Sequence, residues 1–268
     1  METLDYASRS HQEKASWYSP AAEAYVRARP LYPPALIAAV CAAGRLGHDT
    51  RVLEIGSGPG TATREFIPLV AEIVCVEPNG DFVALARNMV GGSSKVSFVT
   101  QNFEHAEVSG LFDAVIAATS FHWISADQGV MRIKGLVRQG GHVILLWNKE
   151  PHPIAAQADA VAEAFRLASF PMPATSSSRD EAVKLLASLS APLADQGFDE
   201  LLLSHAETQL RYDIETFIAL HQSFSPYLAL TVAKQERVTD ELRRHLPKLI
   251  GKNIDTTYVS VGHVFRYG

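Results

Sequence analysis

Residues Val52–Thr63 read VLEIGSGPGTAT, and this stretch decides the fold. A short apolar run, Arg51–Ile55, stops at Gly56; glycines then alternate at Gly56, Gly58 and Gly60, and a helical pattern follows. A strand, a glycine turn and a helix in that order let backbone approach a ligand at the carboxyl edge of a parallel sheet. The neighbouring pattern agrees. Thr61–Val70 predicts a helix, Ile73–Val76 a strand, and Asp81–Val90 a helix with Asn79 as its N-cap. Val96–Thr100 and Asp113–Ala118 predict further strands, Ala126–Val137 a helix, and Gly140–Gly141 a break before the strand HVILLW. Strands apolar on both faces and alternating with helices imply a parallel sheet covered on both sides, an α/β fold.

Beyond residue 150 the pattern changes. Residues 155–168 and Arg179–Leu189 predict helices, with a loop at 170–180 between them. Phe198–Leu210 and Thr256–Phe265 predict long strands, an antiparallel pair closing the sheet, with helices near 213–221 and 230–248 between them.

The chain has 268 residues, 47% hydrophobic and 20% charged, with a net charge of −5. Such a length suits one α/β domain, and the acidic balance disfavours a nucleic-acid partner, which would call for a basic face. No apolar run is long enough to span a bilayer, and residues 1–20 lack the apolar core of a signal peptide, so a cytoplasmic protein is expected. Cys41 and Cys75 are read as small buried hydrophobes, and without HExxH or CxxC no metal is expected.

Two features separate this glycine loop from a dinucleotide fingerprint. The spacing is GxGxG, with Thr61 where GxxG would need glycine, and Glu54 stands two residues before the first glycine. A carboxylate at the mouth of the loop repels pyrophosphate and attracts a cation. Glu77, seventeen residues after Gly60, ends the second strand, where an acid can accept both hydroxyls of a ribose. An NAD-dependent oxidoreductase is therefore the weaker reading.

These residues resemble the class I S-adenosylmethionine-dependent methyltransferases, in the branch that includes the trans-aconitate and ubiquinone-biosynthesis enzymes. The resemblance runs from Tyr25 to Asn148. It implies a Rossmann-like sheet of seven strands in the order 3-2-1-4-5-7-6, mostly parallel with one antiparallel strand, helices on both faces and a helical lid. It implies one domain over residues 1–268, with a cofactor core at about 49–150 and acceptor elements at about 1–48, 151–195 and 212–250.

The resemblance also implies roles. Glu54, Gly56, Ser57, Gly58 and Thr61 would wrap the methionine end of S-adenosylmethionine and of its product S-adenosylhomocysteine, and Glu77 with Pro78 would hold the ribose. Asn102 and Phe103 would read and cover the adenine; the family has Asp at 102, and Asn there accepts only through its carbonyl oxygen. Thr119 and His122, in the segment TSFHW, would lie beside the sulfonium. His122 is the candidate general base, or else packs against the cofactor. Tyr25-Val-Arg-Ala-Arg29-Pro30-Leu-Tyr32-Pro33 is similar to a segment whose arginine folds over the cofactor carboxylate; Arg29 either does this, with Tyr25 and Tyr18 as lid residues, or anchors its helix to the sheet. Tyr18, Trp123, His221 and Tyr227 are candidate substrate-pocket residues. The implied partner is a small-molecule acceptor methylated at O, N or C, with no nucleic acid and no membrane. The alternative is a protein that binds the cofactor without methylating, as a scaffold or an enzyme for another reaction such as cyclisation.

Overall fold

Parallel pairing is visible from β1 outward. β1 (Arg51–Ile55) lies between β2 (Glu72–Val76) and β4 (Phe112–Ala118); β3 (Val96–Val99) flanks β2, and β5 (Val137–Asn148) flanks β4, all four ladders parallel. β8 (Asn253–Tyr267) runs antiparallel to β5 and also pairs with the two-residue β6 (His152–Pro153), while β7 (Phe198–Asp213) lies on β8. The order is β3-β2-β1-β4-β5-β8-β6 with β7 beside β8. Without the short β6 this becomes the expected 3-2-1-4-5-7-6. The computed structural model describes residues 18–124, 126–171 and 178–268. The expected lid segment 1–17 and the centre of the expected loop, 172–177, lie outside the described residues.

Backbone contacts divide the chain into two units. One comprises Leu31–Lys149, Arg179–Ala206 and Val259–Gly268; the other comprises Met1–Pro30, Glu150–Ser178 and Glu207–Tyr258, and β7 and β8 pass through both. In the first unit, alternate strand residues enter separate cores. Leu53, Val115, Leu145 and Trp147 join one cluster, and Val52, Ala114, Ile144 and Leu146 the other. Side chains of successive strand residues point to opposite faces, so this sheet is buried on both sides, as its continuous apolar strands require. The second unit has its own core of Phe165, Phe217, Leu220, Tyr227, Leu242 and Leu246.

Three local expectations are corrected. The helix expected over Thr61–Val70 is only Thr63–Phe66, followed by a 3₁₀ turn at Ile67–Leu69, where Pro68 has no amide to donate to an i−4 carbonyl. Gly140–Gly141 does not precede β5 but lies within it. Pairing with β4 jumps from Phe112–Val137 to Ala114–His142, so residues 138–141 bulge, with Gly140 at φ +75°. A short helix, Ser225–Leu228, lies between the two expected late helices, which span Ile214–Gln222 and Val232–Leu249. Asn79 caps the helix Gly80–Met89 as expected, accepting from the amides of Asp81 (2.9 Å) and Phe82 (3.1 Å). No helix among the described residues is long and apolar enough to cross a membrane.

Candidate functional site

β1 and β4 are neighbours, yet the chain runs outward through β2 and β3 before returning to β4. Their carboxyl ends therefore mark the point where strand order reverses, which is where open α/β sheets bind ligands. The glycine loop leaves β1 there. Gly56, Gly58 and Gly60 all have left-handed φ, at +63°, +55° and +86°. At Gly56 the need is also steric, since an added Cβ would come 2.6 Å from the Ser120 Cβ. Ser120 in turn donates its hydroxyl to the Ile55 carbonyl, stitching the turn after β4 to the end of β1. Sequence reading missed Ser120; its signal was a small residue opposite an obligatory glycine.

Glu77 sits against the loop. Its Oε2 accepts the Gly58 amide at 2.8 Å and its Oε1 accepts the Asn79 amide at 2.9 Å. It is 6% exposed, and burial pushes its carboxyl up to about 7 against those two hydrogen bonds. Pro78 beside it is half-buried.

Glu54 is not at the mouth of the loop, as the sequence suggested, but buried beneath it. It shares the sheet face of Val52, and its register partners Cys75 and Ile116 both belong to that core. At 1% exposure, burial pushes it up to about 7; the Thr63 hydroxyl and Cys75 thiol counter this, and the charge of Glu77 adds to it. Cys75 Sγ lies 3.8 Å from Oε2, and Oε1 has no hydrogen-bond partner among the described residues.

The turn after β4 carries strain. Thr119 has φ +57°, a conformation costly for a β-branched residue and concentrated at functional sites. It is held by its amide on the Leu146 carbonyl (2.6 Å) and by its hydroxyl on Tyr32 OH (2.7 Å). Phe121–Trp123 then form a 3₁₀ turn on which His122 and Trp123 are exposed, their ring centroids 4.6 Å apart. After β3, Asn102 is half-buried at the start of the 3₁₀ turn Phe103–His105, and Phe103 is buried in the core with Leu53 and Ile55. Ser57 is buried in the loop and Thr61 half-buried at its end. Glu54, Gly56, Ser57, Gly58, Thr61, Glu77, Pro78, Asn102, Phe103, Thr119, His122 and Trp123 thus all belong to one unit.

Tyr18, Tyr25, Arg29, His221 and Tyr227 belong to the other. There Arg29 donates to Ser223 Oγ and to the Ser223 carbonyl, both at 2.9 Å, and its guanidinium stacks on Tyr25 and Phe224. Tyr18 OH pairs with Ser225 Oγ at 3.0 Å. Tyr227 OH is tied to Thr239 Oγ1 (2.8 Å) and donates to the Gln235 carbonyl (2.9 Å). His221 is enclosed by Phe165, Phe217 and Phe224, and burial pushes its imidazole down to about 3. A wide surface hollow of about 510 Å³ in this unit is lined by Asp213, Glu215 and Lys252 and shares no residue with the glycine loop.

Ser190, His263 and Glu200 form a line in the first unit, at 2.8 Å and 2.9 Å, that mimics a nucleophile triad. Ser190 is buried and donates its hydroxyl to the Ala187 carbonyl, so it is a packing element.

Comparison with known proteins agrees with this geometry. The methyltransferase-domain family matches residues 52–141, from β1 into β5. An uncharacterised methyltransferase of Mycobacterium tuberculosis is 26% identical over 139 residues, 52% of this chain and 55% of the relative. The chain thus spans about half the length of the mycobacterial relatives it matches. An uncharacterised methyltransferase of Schizosaccharomyces pombe is 24% identical over 232 residues, covering 84% of this chain and 86% of the relative. Among solved structures, a candidate type II methyltransferase from Anaeromyxobacter dehalogenans superposes with a TM-score of 0.64 at 18% identity, covering 89% of this chain and 98% of that one. The YcgJ protein of Bacillus subtilis does so at 0.51 and 14% identity, with coverages of 87% and 97%. Over residues 52–141 the chain is thus similar to the methyltransferase-domain family, and its sheet has the Rossmann-like strand order shared with these solved structures.

Proposed function

We propose that this protein is an S-adenosylmethionine-dependent methyltransferase acting on an O, N or C atom of a small-molecule acceptor. The observation that carries the reading is the Glu77–Gly58 hydrogen bond of 2.8 Å. A phosphate-binding loop presents its amides to an anion. Here the central loop amide is already taken by the carboxyl group of Glu77, and a second carboxyl group, that of Glu54, lies below. Such a loop disfavours pyrophosphate and suits a ligand that brings hydroxyls and a cation. The orphaned Oε1 of Glu54 fits the same ligand, because a buried carboxylate oxygen without a partner is costly unless positive charge is supplied.

When bound, S-adenosylmethionine supplies the activated methyl group. Gly56, Ser57, Gly58 and Thr61 would enclose its methionine end, and the lone pairs of Glu77 not used by Gly58 and Asn79 would accept the ribose hydroxyls, beside Pro78. Asn102 and Phe103 are assigned to the adenine, and Thr119 to the sulfonium side. His122, exposed on the turn after β4, is the group to take a proton from an acceptor that carries one. Trp123, exposed on the turn after β4, is assigned to acceptor selection. Two free cysteines suit the reducing cytosol.

Parallel calorimetric titrations with S-adenosylmethionine, S-adenosylhomocysteine and NAD test the reading. Binding of both sulfur compounds without NAD supports it, and binding of NAD alone rejects it. Binding of the sulfur compounds with no methyl transfer across an acceptor screen favours a non-methylating role.

A further inference from the structure

The class I reading leaves one group without an explained state. Glu54 is a fully buried carboxyl group on an apolar sheet face, with Val52, Cys75 and Ile116 around it. The titratable and polar groups facing it are Cys75 on β2, Thr63 on the helix that follows the loop, and Glu77 just beyond β2. β4 contributes only Ile116 at this level. None of these groups is a cation, one is a second buried carboxylate, and one oxygen of Glu54 has no partner. The Thr63 hydroxyl and the Cys75 thiol offset only part of the hydration that an anion so placed loses, so the neutral acid is favoured. A positive charge brought to the loop reverses that preference.

We propose that Glu54 is a proton-linked charge switch: it stays a neutral carboxylic acid until a cationic ligand reaches the glycine loop, then ionises and releases its proton to solvent. The O–H bond of the Glu54 carboxyl breaks, the electron pair stays on the carboxylate and the proton passes to buffer. Affinity for the cofactor then rises with pH, by up to about tenfold per unit while Glu54 is protonated in the free protein. The raised carboxyl of Glu54, near 7, puts that range below neutrality. This rests on the reading that the loop binds the cationic sulfur cofactor.

The test is calorimetric titration of the full chain with S-adenosylhomocysteine, which carries the ammonium group, in buffers of differing ionisation enthalpy. At pH 6 the wild type is expected to release close to one proton more per ligand bound than Glu54→Gln, and this difference is expected to vanish by pH 8. Equal release from the two proteins overturns the proposal. If Glu54→Gln does not fold or bind, infrared difference spectra of the wild type decide. Loss of a protonated-carboxyl C=O band in the wild type on adding saturating ligand supports the switch; an unchanged band rejects it. Failure of the wild type to bind either sulfur compound rejects the cofactor reading itself, whereas binding without proton release rejects only the switch.

Discussion

The carboxylate of Glu77 accepts the amide of Gly58 at 2.8 Å, so the acid that ends β2 and the loop that follows β1 form one structural piece. Its other oxygen holds the amide of Asn79, which itself caps the next helix. A single side chain thereby ties the glycine loop to the start of the next helix.

Replacing Glu77 with alanine should therefore weaken cofactor binding strongly. Loss of two hydrogen bonds to a charged group costs about 3–6 kcal/mol, roughly 150-fold or more in affinity. Titration with S-adenosylhomocysteine, beside a thermal melt showing a folded protein, checks this. Unchanged affinity in the folded variant would remove Glu77 from the site.

Gly56→Ala and Gly58→Ala should differ although both glycines have positive φ. Each incurs about 1–3 kcal/mol of backbone strain. Gly56→Ala adds a collision with Ser120 at 2.6 Å, whereas at Gly58 the nearest atom to a new Cβ is Phe82, 4.0 Å away. Urea denaturation should rank Gly56→Ala as the less stable, by a further ~1–3 kcal/mol of overpacking.

Tyr32→Phe should destabilise the protein by about 0.5–1.5 kcal/mol by deleting the 2.7 Å bond to Thr119. In a Thr119→Val background the same change should cost markedly less, since the partner is already gone. A double-mutant cycle by denaturation measures this coupling, and additive effects would show that the pair does not hold the strained turn.

Stability should fall on acidification through His221. Its folded value, about 3, lies below the ordinary histidine value of 6.5, so below 6.5 the unfolded chain takes up a proton that the folded chain refuses. The loss approaches about 1.4 kcal/mol per pH unit. Urea midpoints at pH 6.5, 5.5 and 4.5 should show a shallower fall in His221→Leu than in the wild type.

Glu54 has the opposite sign. Its carboxyl is raised from 4.5 to about 7, so between those values the folded protein holds a proton that the unfolded chain has lost, and the contribution disappears as pH rises through 7. Glu54→Gln should therefore gain stability relative to the wild type between pH 4.5 and 7.5. Parallel slopes for the two proteins over that range would mean that Glu54 is ionised in the folded state.

The sequence by itself determined the sheet and the loop. Apolar runs set by turn residues marked β1 to β5 within a few positions, and three glycines at fixed spacing marked a turn in which backbone can approach a ligand. The acid at position 77 was legible because it directly follows a strand whose end was legible. What only the tertiary structure decided was which side each residue faces and what it meets there. β1 is covered on both faces, so no polar alternation marks the side to which Glu54 points, and its place beneath the loop follows from the pleat and from Cys75 and Ile116 on neighbouring strands. The contacts of Ser120 with Ile55, Tyr32 with Thr119, and His221 with Phe165 join residues far apart along the chain. Local propensity encodes elements and turns; burial, protonation and partner choice depend on long-range packing, which a single sequence does not spell out.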